Sequence, residues 1–198
     1  MLYPHLARKI IQMQKKDLAL RDKLIKEGVL FEGYHADMED LHIKNTDLLA
    51  EIIHQIGYPT VLKVGEKASE ATWLIIQHAI SKPNFMKKCA DLLSQEIELG
   101  NASKKDWAYL TDRIAVLSNR KQFYGTQFDW DEYGELNPNP IKYVKSINKR
   151  RIALGFNSIE DQIILMRKQA QAEGQTAPQN YQDKKDAFQK WQKKVGWV

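Results

Sequence analysis

Apolar residues recur every three or four positions along most of this chain, the spacing of helices that each bury one face. Leu6, Ile10, Met13, Leu20 and Leu24 mark a long helix over 4–26. Met38, Leu41, Leu48, Leu49, Ile52, Ile53 and Ile56 mark a second over 36–56, stopped by Gly57 with Pro59 beyond it. Between them Gly28 and Gly33 bracket a turn under which Val29, Leu30 and Phe31 are expected to tuck. The stretch 64–79, VGEKASEATWLIIQHA, is apolar on nearly every side. At about 100° per residue, Ala68, Ala71, Thr72, Ile75, His78 and Ala79 share one face, and Gly65 and Glu66 suit the helix start. Further helices are predicted over 81–99, over 104–118 behind a Ser103/Asp106 capping box, over 141–154, and after a cap formed by Ser158 and Asp161. The aromatic-rich run 121–140, interrupted by Gly125 and Gly134, predicts a short hairpin or ordered loop. The fold class expected is mainly α: a single-domain antiparallel helical bundle of about six to seven helices over 1–172, with a polar linker and short basic amphipathic tail over 173–198.

Several core-facing positions are polar, which a buried face tolerates only for a reason. Asp17 falls in the apolar series of the first helix, with Arg21 four residues on. That pair reads first as a surface salt bridge and second as part of a pocket wall. In the second helix the row Ile56, Ile52, Leu49 runs back to Asn45 and His42, and the third apolar stretch carries Gln77 and His78. On 104–118 both faces look occupied, so Asp112 and Arg113 each need a partner elsewhere. One hypothesis gathers these residues into an interhelical pocket beneath the loop holding Tyr124 and Gln127, shaped for a small polar or anionic ligand. His42 or His78 would then be the acid or base, oriented by Asp17 or Asp112. Arg21 or Arg113 would hold an anionic group, and Asn45, Gln77, Tyr124 and Gln127 would complete the ligand contacts. No nucleophile elbow, phosphate-binding glycine loop or His-Glu-x-x-His motif is present, which leaves hydrolysis as the least committal reaction class. The alternative hypothesis is non-enzymatic: the same residues form a satisfied internal network, and the protein acts through its surface as a binding or immunity-type module.

Metal motifs do not complete themselves in the sequence. Glu39-x-x-His42, with His35 one turn earlier, is half of the di-iron pattern of ferritin-like bundles, but no second Glu-x-x-His follows. The acidic run Asp129, Asp131, Glu132, Glu135 fails as a calcium loop, because Tyr133 and Pro140 stand where oxygen ligands belong. No metal ligands are assigned on this basis, and the cofactor question stays open.

Composition narrows the picture a little. With 198 residues, 43% of them hydrophobic, the chain can bury a sizeable core, and its single cysteine, Cys89, forms no internal disulfide. The N-terminus lacks an apolar export core and no stretch approaches a membrane span, so a cytoplasmic location is expected. Of the net charge of +5, the segment from Gly174 onward contributes five Lys against two Asp. The remainder is too evenly charged for a nucleic-acid surface. The tail offers Phe188, Trp191 and Val195 on one helical side and lysines on the others. Docking on the body, contact with a protein partner or a membrane surface, and disorder are all open to it.

The segments GYHADMEDLHIKNTDLLAEI, GYPT with VGEKASEATWLIIQHA, YLTDRIAVL, and QFYGTQFDWDEYGELNPNPI followed by KRRIALGF together resemble an uncharacterised bacterial family, domain of unknown function 6624. The resemblance runs over roughly 17–165, with Tyr58 where that family typically has Trp, and leaves the tail outside. It implies no known activity. It does imply that Asp17, Arg21, His42, Asn45, Gln77, His78, Asp112, Arg113, Tyr124 and Gln127 belong to the family pattern.

Overall fold

Nearly all of the expected helices form, and in several places their bounds follow from local chemistry. The computed structural model describes residues 1–30 and 33–198. Phe31, expected to tuck under the first turn, lies outside them. Among the described residues the protein is mainly α, with nine α-helices and one two-stranded antiparallel sheet. It divides into two compact units, Met1–Ser103 and Lys104–Val198.

In the first unit, α1 (Pro4–Lys26) begins with Pro4, whose missing N–H costs nothing at that position. Its buried series is Leu6, Ile10, Met13, Asp17 and Leu24. Helix α2 (Ala36–Ile56) starts at His35, whose Nδ1 accepts from the Asp37 N–H at 3.2 Å, and ends at Gly57 with φ of 70°. A single helical turn, α3 (Val61–Val64), precedes α4 (Glu66–His78) and was not anticipated from periodicity, since four residues are too few to show one. Helix α4 is the core of the unit: α1, α2, α3 and α5 (Pro83–Glu98) all pack against it. The small buried face Ala68, Ala71 and Thr72 permits that close approach. Each buried Ile or Leu, such as Ile75 and Leu49, contributes about 1.5–3 kcal/mol through burial. Thr46 and Thr72 satisfy their hydroxyls within their own helices, on the carbonyls of His42 and Ala68. Cys89 on α5 is fully buried, and burial pushes its thiol up to about 12.

The second unit starts with α6 (Lys104–Leu117), followed by the hairpin β1 (Phe128–Trp130) and β2 (Leu136–Pro138) in the register Phe128↔Pro138 and Trp130↔Leu136. The helix expected over 141–154 is shorter: a 3-10 turn, Val144–Ser146, leads into α7 (Ile147–Ala153). Two tertiary features override the local preference there. Ile141 bridges to Gln122, and Tyr143 adopts a left-handed φ of 54°. Helix α8 (Ile159–Ala172) is capped as predicted, by Ser158 Oγ accepting from the Asp161 N–H at 3.1 Å. The tail forms α9 (Tyr181–Val195), which docks: Gln192 is fully buried and donates to the Leu117 carbonyl at 2.7 Å, and Trp197 is 5% exposed. Docking orders the tail because Gln192 supplies a donor at the C-terminal end of α6, where carbonyls lack partners in the helix.

The loop before the hairpin turns on Gly125, whose φ of 67° is left-handed. A Cβ there would stand 2.8 Å from Ile159 Cδ1 and 3.1 Å from Ile141 Cδ1. Gly125→Ala is therefore expected to cost about 1–3 kcal/mol, from the left-handed backbone and the displaced isoleucines. Urea unfolding of the variant checks this. An unchanged midpoint would mean that the loop rotates freely out of this conformation.

Candidate functional site

Three of the core-facing polar residues meet in the first unit. Asp17 on α1 is fully buried, His42 on α2 is 6% exposed, and the His78 side chain at the end of α4 is 24% exposed. Asp17 Oδ2 lies 2.9 Å from His78 Nδ1, with hydrogen-bond geometry, and 3.2 Å from His42 Nε2. The helical period explains the convergence: Asp17 follows Met13 by four residues, His42 precedes Thr46 and Leu49 by four and seven, and His78 follows Ile75 by three, all on buried faces. The imidazole rings sit 4.7 Å apart at 35°. Burial alone would push the Asp17 carboxyl up. The two imidazoles beside it outweigh this and hold the group well below the usual carboxylate range. The surface salt-bridge reading of Asp17 is overturned by this burial.

A chain of polar contacts runs outward from the cluster. Tyr34 Oη is 2.8 Å from His42 Nδ1 and its ring stacks on the imidazole with centroids 5.8 Å apart. Burial raises the Tyr34 phenol above the ordinary range, and Ser81 beside it opposes this. Ser81 Oγ in turn donates to Glu39 Oε1 at 2.6 Å. Glu39, half of the di-iron pattern in the sequence, thus stands at the far end of this chain, and His35 serves as a helix cap. Asn45 is buried beside the cluster's helices, with Nδ2 3.5 Å from the Met13 carbonyl, and Gln77 is buried on α4. Arg21 is half-buried on α1.

The other predicted site residues belong to the second unit, where they build a loop anchor. Asp112 on α6 accepts from the backbone N–H groups of Phe123 at 2.6 Å, Tyr124 at 3.1 Å to each oxygen, and Thr126 at 3.1 Å, and from Thr126 Oγ1 at 3.0 Å. Burial pushes its carboxyl up, and these hydrogen bonds oppose that. Arg113 Nε donates to Gln127 Oε1 at 3.1 Å, and Gln127 Nε2 donates to Thr126 Oγ1 at 3.0 Å. Asp112 therefore corrects the sequence reading: both of its oxygens are committed to the 123–126 backbone, so it is an anchor rather than the orienting partner of a histidine. Two partners of this anchor went unread in the sequence. Gln122 is fully buried and ties the Gln127 and Asn139 carbonyls together at 2.9 and 2.7 Å. Arg151 is 1% exposed, although it ends the charged run Lys149, Arg150, Arg151. Its position four residues after buried Ile147 was the available signal. Tyr34 and Ser81 left no such signal, because both lie between helices, where periodicity does not apply.

These observations define a mainly α protein whose first unit holds a buried carboxylate between two imidazoles. Residues 4–173 match the family of unknown function DUF6624, and the chain belongs to that family. Helix α9 lies beyond the match. No curated protein and no solved structure matches the chain. Among the described residues, no helix is long and apolar enough to cross a membrane.

Proposed function

We propose that the first unit binds a small polar ligand at Asp17, His42 and His78, with His78 as the side through which the ligand enters. The observation that carries this reading is the incomplete satisfaction of the cluster. Asp17 Oδ1 and His42 Nε2 are buried and have no hydrogen-bond partner among the described residues, a costly state for polar groups unless something else occupies the space. The His78 ring, partly exposed, provides an opening. An anionic ligand would face the Asp17 carboxylate directly, so an anion needs an intervening positive charge. A second reading, a network that only fixes helix register, is favoured by the direct His78–Asp17 hydrogen bond. It does not account for the two unpartnered atoms.

Native mass spectrometry with elemental analysis separates the two. The purified chain is expected to retain a metal or small molecule that His42→Ala and His78→Ala both lose. A wild-type chain that carries nothing, with variants that only melt earlier, would favour the structural network.

A further inference from the structure

We propose that Asp17, His42 and His78 form a binding site for one divalent transition-metal ion, which rests on the reading that this cluster is the ligand centre. One donor atom from each residue lies within 4.8 Å of the other two. Ligand bonds of about 2.1 Å place neighbouring donors about 3.0 Å apart at right angles and about 3.4 Å apart in a tetrahedron. The observed separations from Asp17 Oδ2, 2.9 Å to His78 Nδ1 and 3.2 Å to His42 Nε2, fall at or between those edges.

The contacts of His42 give an independent argument. His42 Nε2 makes no hydrogen bond to Asp17 although the two atoms are 3.2 Å apart, which favours the tautomer with the proton on Nδ1. In that tautomer Nδ1–H donates across the 2.8 Å contact to Tyr34 Oη. A neutral His42 then turns the bare lone pair of Nε2 toward a carboxylate oxygen 3.2 Å away, a repulsive contact that a cation between them converts into two bonds. A proton on His42 would also serve, but it sets an imidazolium 4.7 Å from a second histidine bound to the same oxygen. One metal ion serves all three residues and leaves both imidazoles neutral. Two imidazoles and one carboxylate suit Zn²⁺, Fe²⁺, Co²⁺ or Mn²⁺ rather than Ca²⁺ or Mg²⁺, and three protein ligands leave positions open for water or an anionic ligand. Tyr34 is then the residue that fixes the His42 tautomer.

The test uses the full chain, stripped with a chelator, dialysed and titrated with Co²⁺ and Zn²⁺. One Co²⁺ per chain with visible d–d absorption is expected, and Zn²⁺ should raise the melting temperature. Asp17→Asn and the milder His78→Gln should weaken Co²⁺ binding more than about 100-fold, and Tyr34→Phe about 10-fold, with circular dichroism confirming that each is folded. A folded, stripped wild-type chain that takes up neither ion stoichiometrically would overturn the proposal, as would Co²⁺ binding unchanged in Asp17→Asn and His78→Gln. An organic adduct lost in both histidine variants, alongside no metal uptake, would overturn the metal site alone and leave the ligand centre standing.

Discussion

Asp112→Ala is expected to lower the free energy of unfolding by about 3–5 kcal/mol, among the largest single-residue effects in the chain. The carboxylate accepts from three backbone N–H groups and one hydroxyl of the 123–126 loop. Alanine removes the acceptor and leaves those donors in a partly buried space, where each unmet hydrogen bond costs about 1–3 kcal/mol. Water reaches some of them, which keeps the total below the full sum. Asp112→Asn retains one accepting oxygen but turns an NH2 toward donors, so it should still lose at least half as much. Urea denaturation at constant m-value measures both. A shift under about 1 kcal/mol for the alanine variant would show that the loop is held by other contacts.

Arg151→Met is the second. The guanidinium is buried and donates to the carbonyls of Asn157 at 2.7 Å and of Tyr124 at 2.7 Å, and to Asn157 Oδ1 at 3.0 Å. Burial pulls its basicity down, while Tyr109, Asp112 and Glu160 partly restore it. Methionine fills the apolar volume and supplies no donor, so a loss of about 2–4 kcal/mol is expected. Arg151→Lys should rescue little, since one ammonium cannot reproduce the planar fork. Asp112 and Arg151 grip the same loop at one residue, the first at the Tyr124 N–H and the second at the Tyr124 carbonyl. The double variant should therefore cost less than the sum, by about 0.5–3 kcal/mol. Strict additivity would mean that the two grips are independent.

Much of this architecture was legible in the sequence because helices announce themselves through a local period. The bounds of α1 and α2 coincide with those read from apolar spacing, and Asp17, His42 and His78 stood out as polar residues on buried faces. Their meeting was not legible: His78 and Asp17 are 61 positions apart, and no local period links separate helices. Nor was it legible that Asp112 holds the Tyr124 backbone and Arg113 bonds Gln127 within the second unit. The 141–143 segment was misread because its backbone answers to Gln122 rather than to its own residues. The charges of Lys149 and Arg150 mask the burial of Arg151, and only its spacing from Ile147 points inward.

Cys89 has a practical consequence for experiments on this molecule. The chain's only thiol is enclosed on α5 and held largely protonated at neutral pH. Maleimide reagents should therefore leave the native chain unmodified, so a cysteine introduced at an exposed position such as Leu62 or Leu99 would carry a fluorophore or spin label alone. Distances to a paramagnetic ion could then be read without first removing the native cysteine.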